Sequence, residues 1–185
     1  HELPPLIHKA RDRMIDVHHT ILPRTHRVTP DALAMIGDAV LADGGFAVLC
    51  PTDMACHCAA HLLADGDLQG GLRNLWDFHC LTRDFAAADA GFWGELDARA
   101  ALHGLRAPVQ RAARLARDLY GAALPPGWKR RESGDGWFVR RLLARDDWGR
   151  PTHFALQQAF YIRSHWLRMP PVMLAKHLWT TWRKG

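Results

Sequence analysis

Apolar and polar residues alternate from Met14 to Leu22. This sets Ile15, Val17, His19 and Ile21 on one face and Met14, Asp16, His18 and Thr20 on the other, the period of a β-strand. Pro23 ends the run, and Thr29-Pro30 supplies an N-cap and a first-turn proline for a helix reaching about Ala42, with Leu33, Ile36, Val40 and Leu41 on one side. Gly44-Gly45 breaks that helix, and Phe46 to Leu49 reads as a short strand. From Thr52 the period becomes helical. Helices are predicted from Thr52 to about Ala64, Leu72 to about Phe85, Phe92 to His103 and Pro108 to Tyr120, and their short connections imply antiparallel neighbours. Beyond Pro125-Pro126-Gly127 and the polar run Lys129 to Gly136, three further helical pieces follow: Trp137 to Ala144, Phe154 to Leu167, and about Pro170 to Trp182. The order predicts an α+β chain that is mostly α, divided into a strand-bearing region (1–50), a helical domain (51–128) and a basic helical segment (129–185).

Composition narrows the class. With 48% hydrophobic and 23% charged residues in a chain of 185, disorder and collagen-like fibre are excluded. No apolar run approaches the roughly 18 residues of a membrane span. The formal net charge is +5, most of the excess lying beyond Trp128, which suits phosphate-bearing partners or an anionic surface. Four Cys (Cys50, Cys56, Cys58 and Cys80) do not make a disulfide scaffold, and reduced thiols in the cytoplasm are expected. The opening His-Glu-Leu-Pro-Pro has neither an initiating Met nor a signal pattern, and residue 1 reads as a cut end.

The candidate chemistry centres on Met14-Ile15-Asp16-Val17-His18-His19, where a strand would present Asp16 and His18 side by side; the same local pattern also suits a solvated strand face. The order of elements adds to it. A strand with Asp-x-His precedes a helix, a short strand reading Phe46-Ala47-Val48-Leu49-Cys50-Pro51-Thr52-Asp53, a helix with His57 and His61, and a helix with Arg73-Asn74-Leu75-Trp76-Asp77. This set resembles a nucleotidyltransferase family of the polymerase-beta-like superfamily, from about Met14 to Trp128 and more loosely over Trp166 to Pro171.

The resemblance implies the remnant of a small mixed nucleotidyltransferase sheet followed by a helical bundle. It implies magnesium as cofactor and transfer of a nucleoside monophosphate from an NTP to a hydroxyl acceptor. Asp16 matches the third catalytic, metal-binding carboxylate of the family, with His18 beside it on the cofactor-binding face. A Gly-Ser or Gly-Gly turn followed by Asp-x-Asp is missing before Asp16, since only 15 residues precede it. This chain alone is therefore expected to be inactive, as the C-terminal part of such an enzyme.

Three other features compete for attention. His57 and His61, four apart, with Cys56, Cys58, His79 and Cys80 nearby, suit either a zinc site or packed thiols and hydrogen-bonded histidines. Arg73 and Asp77 suit a helical ion pair or a position in a nucleotide cleft. Trp166, Arg168, His177, Trp179, Trp182, Arg183 and Lys184 interleave aromatics with cations near the C-terminus. They support an alternative function, a non-catalytic helical interaction module binding a protein, anionic lipid or RNA.

Overall fold

The structure, a computed structural model, describes residues 6–15 and 17–183. Two small antiparallel hairpins lead into a set of helices. The first hairpin pairs β1 (Leu6–His8) with β2 (Arg13–Ile15), Ile7 facing Met14. After α1 (Ala32–Gly37), the second pairs β3 (Val40–Leu41) with β4 (Ala47–Val48). Gly44 and Gly45 both take positive φ, +95° and +80°, and so make the tight reversal that closes it. Then come α2 (Pro51–Ala59), which continues as a π-helical turn over Ala60–Asp65, α3 (Gly71–Ala88), α4 (Phe92–Leu102) and α5 (Arg106–Tyr120). A 3-10 turn (Pro126–Trp128) precedes α6 (Asp135–Leu142), α7 (Phe154–Arg168) and α8 (Pro171–Trp182). The fold is α+β and mostly α, as the periodicities predict.

The strand expected over Met14 to Leu22 stops at Ile15. Past residue 16 the chain is irregular, because the Thr20 hydroxyl engages both the Leu22 amide and the Leu22 carbonyl, the groups a ladder would need. The helix expected from Pro30 to Ala42 is only six residues long, and Val40 and Leu41 belong to β3 instead. Its cap is Asp31 rather than Thr29: the Asp31 carboxylate accepts from the Ala34 amide at 3.0 Å. Pro51 takes the first position of α2, which makes Cys50 the N-cap residue in place of Thr52.

The core lies where α2 and its π turn pack on α3, α4 and α5. Ala55, Ala59, Ala112, Ala113 and Ala116 are fully buried or nearly so, and their small side chains let the helices close on Leu62, Leu75, Phe78 and Leu96. Gly71 serves the same end, since a Cβ there would lie 2.8 Å from Leu142 and 3.1 Å from Leu62. The buried cluster runs on through Phe138, Leu142 and Phe160, so α6 and α7 share it with the preceding helices.

Within this apolar interior sits a fully buried carboxylate, Asp53, on the first turn of α2. Arg99 of α4 grips both its oxygens, Nε at 2.7 Å and Nη2 at 2.6 Å, and also donates to Asp38 at 2.6 Å and to the Ala34 carbonyl at 2.9 Å. His103 Nε2 lies 2.9 Å from the same carboxylate, while its Nδ1 accepts from the Asp31 amide, a pattern that requires the proton on Nε2. Burial by itself would raise the Asp53 carboxyl, and the hydrogen bonds from Arg99 and His103 reverse that and hold it below the usual carboxylate range. A second pair, Arg114 with Asp135 at 2.7 Å, fastens the start of α6 to α5, with Arg111 and Glu132 at its edge.

Asp53→Asn leaves Arg99 and His103 facing an incomplete partner, and should cost about 3–5 kcal/mol in urea unfolding at neutral pH. The contribution of Asp53 is complete above its ordinary value of 3.8 and fades as the pH falls through its lower native value. The variant should therefore lose less stability than the parent on acidification below about pH 4.

Candidate functional site

His26 sets the position of the irregular segment that follows β2. It is buried, with Nε2 2.8 Å from the Ala64 carbonyl in the π turn and Nδ1 accepting from the Val28 amide at 2.9 Å. Arg27 then donates to the Trp166 carbonyl at 2.8 Å and lies over the Trp166 ring at 4.3 Å, tying the same stretch to the end of α7. Held this way, the segment from Val17 to Arg24 passes over His61 and faces α1 and α2 across a groove. About 300 Å³ of that groove lies between the segment, α1 and α2. It continues over α2 toward Asn74 and Leu81 of α3.

Four histidines from two separate stretches of the sequence, His18 and His19 of the segment and His57 and His61 beyond it, line this groove. His18, exposed on the segment, shares the groove with His57 of α2 and His61 of the π turn. The His57 and His61 rings stand edge to face with centroids 4.5 Å apart. Burial, then the neighbouring His61 and His18, lowers the His57 pKa below the ordinary imidazole value of 6.5. Ile21, Met35, Ile36 and Leu49 form the apolar walls. Among the described lining residues the charged side chain is Arg24, at one end. The i, i+4 spacing of His57 and His61 was legible; the approach of His18 was not, because it depends on the His26 and Arg27 contacts with elements far along the chain.

The other candidates lie elsewhere. Asp16 is outside the described residues. Asp53 is sealed in the core. Arg73 and Asp77 are exposed on α3. Cys56 is buried with its thiol pushed up to about 12, and Cys58, pushed up to about 11, donates to the Asn74 carbonyl at 3.2 Å. Both thiols keep their protons at neutral pH. Among the described residues no three His, Cys, Asp or Glu side chains are grouped to hold an ion. Magnesium takes oxygen ligands, whereas the donors in this groove are mainly imidazole nitrogens, so the described lining alone does not fit that ion.

A family model described as uncharacterised nucleotidyltransferase matches residues 3–121, from the first hairpin to the end of α5. The chain belongs to the uncharacterised nucleotidyltransferase family. No curated protein and no solved structure matches it. The nucleotidyltransferase match includes every element that lines the groove, while α6, α7 and α8 lie beyond it.

In the unfolded chain His57 takes a proton near 6.5, but in the folded protein only at lower pH, so acidification through that window favours unfolding. His57→Gln should consequently lose less stability than the parent between pH 7 and pH 5. In an NMR titration of the parent, the His57 ring should titrate below the ordinary imidazole value.

Proposed function

We propose that this protein is the C-terminal part of a polymerase-beta-like nucleotidyltransferase that transfers a nucleoside monophosphate from an NTP to a hydroxyl acceptor. The family match over residues 3–121 supports nucleotidyl transfer in general, and the matched stretch includes the residues that line the groove. In this reading Asp16 is a metal-binding carboxylate of the reaction and His18 lines the substrate side. Bound magnesium would supply charge neutralisation at the phosphates. Asp16 is one carboxylate, and such an ion needs further oxygen ligands that the described lining does not add. The chain by itself is therefore read as inactive.

The chemistry left to the described residues is the handling of the acceptor. The acceptor oxygen bonds to the α-phosphorus, the bond from that phosphorus to the bridging oxygen breaks, and pyrophosphate departs with the electron pair. The groove supports this reading by offering imidazoles where a hydroxyl must be oriented.

Expressed from its whole natural gene, the protein should transfer label from an α-labelled NTP in the presence of magnesium. Asp16→Asn should lower that transfer at least a hundredfold. Incorporation by residues 1–185 alone would overturn the assignment of this chain as an incomplete catalyst.

A second reading is supported by α8, where Val172, Met173 and Trp179 are exposed and the Arg183 guanidinium lies 5.0 Å from the Trp179 ring. It takes the chain as an interaction module whose basic end meets anionic lipid or RNA. No described helix is long and apolar enough to cross a membrane. On this reading the chain should bind vesicles containing phosphatidylserine at low salt and release them at about 0.5 M salt, within a Debye length of a few ångströms; absence of binding at low salt counts against it.

A further inference from the structure

Resting on the nucleotidyl-transfer reading, we infer that the groove between the Val17–Arg24 segment, α1 and α2 binds the acceptor, that this acceptor is an uncharged, ring-bearing alcohol, and that His57 takes the proton of its hydroxyl.

Charge is the first argument. The space bounded by Ile21, Met35, Ile36, Leu49 and the imidazoles contains no Lys, Arg, Asp or Glu among its described lining residues. A triphosphate needs several charge-assisted donors, and a carboxylate-bearing ligand needs at least one. Arg24, at the far end, is the one described cation that could meet a phosphate. The walls between it and α3 suit a neutral molecule.

Size is the second. A volume of about 300 Å³ is at the small end of the roughly 300–1,000 Å³ typical of small-molecule sites. It accommodates one ring system with its substituents. The apolar walls contact the faces of such a ring, and the edge-to-face pair of His57 and His61 offers both an aromatic edge and ring nitrogens.

The third argument separates an acceptor from the base of a nucleotide. A nucleobase has no proton to surrender in the reaction, whereas the attacking hydroxyl does. His57 is half-buried in the wall and held below the ordinary imidazole range, so at neutral pH it carries a free lone pair that can accept that proton. The balance is complete within the reaction: the O–H bond breaks with its proton going to a ring nitrogen of His57, the oxygen joins the α-phosphorus, and pyrophosphate leaves.

The test uses the full 185-residue chain with isotope-labelled histidine and follows the imidazole resonances by NMR. The probes are benzyl alcohol, benzoate, uracil and inorganic tripolyphosphate. At pH 7.5 benzyl alcohol should shift the His57 and His61 rings saturably, benzoate should bind at least fivefold more weakly, and tripolyphosphate should leave both rings unmoved. Ile36→Glu, at an exposed wall position outside the core, should weaken benzyl alcohol at least tenfold with the circular dichroism spectrum unchanged.

In the whole gene product, His57→Gln should lower transfer about a hundredfold, a loss larger than any weakening of benzyl alcohol binding. Tighter binding of benzoate or tripolyphosphate at pH 7.5 would overturn the inference, and so would failure of benzyl alcohol to move the rings. Tighter binding of uracil than of benzyl alcohol would reassign the groove to the nucleobase and equally overturn it. Transfer by the whole gene product without alcohol binding leaves the enzymatic reading standing and removes this one; alcohol binding without transfer removes the enzymatic reading and with it the acceptor role that rests on it.

Discussion

A single buried carboxylate organises the N-terminal two-thirds of this chain. Asp53 would be costly in an apolar core if it stood alone, because a desolvated charge must be matched by charge and hydrogen bonds to persist. The match comes from Arg99 and His103, both on or just after α4, and each has a second obligation to α1 or its cap. The same guanidinium that neutralises Asp53 thus holds the last turn of α1, and the same imidazole holds its first. A six-residue helix has little stability of its own. Its position is set by this network, and with it the back wall of the histidine groove.

The opposite wall depends on a different anchor. His26 and Arg27 bind carbonyls of the π turn and of α7 and suspend the preceding segment between them. The groove is therefore bounded by two pieces with little regular structure, each fixed by polar contacts to rigid helices. Such an arrangement ties the rims by a few hydrogen bonds, while the floor, made of α2, belongs to the buried core. Substrate sites that must admit a ligand and then exclude water are commonly built in this way.

The helices were largely legible in the sequence. Their apolar period, the Gly breakers at Gly104 and Gly121 and the prolines near their starts place α2 to α8 within a few residues. The β-rich beginning was less so. Alternation from Met14 to Leu22 has the right period for a strand, yet Thr20 satisfies the Leu22 backbone locally and the ladder ends at Ile15. Val40 and Leu41 fit a helical face as well as a strand, and the choice falls to Gly44-Gly45, which allows them to pair with Ala47 and Val48. The partners of Asp53 lie 46 and 50 residues away, and those of His26 and Arg27 up to 139, separations at which no local pattern carries information. Asp16, the residue on which the family resemblance turns, lies outside the described residues.

The π turn over Ala60–Asp65 has an evolutionary consequence. Such turns amount to one extra residue accommodated within a helix, and they are frequent at functional sites. Here the extra residue falls between Asp53, whose place is dictated by Arg99, and Ala64, whose carbonyl receives His26. A homologue lacking one residue in this stretch would regain regular α geometry with the flanking turns still in register, because the extra residue is taken up as a local widening of one turn. The change would fall on the turn itself, at His61 and at the Ala64 carbonyl that receives His26. A single-residue change of length here would therefore reshape one rim of the groove and leave Asp53 and its partners in place.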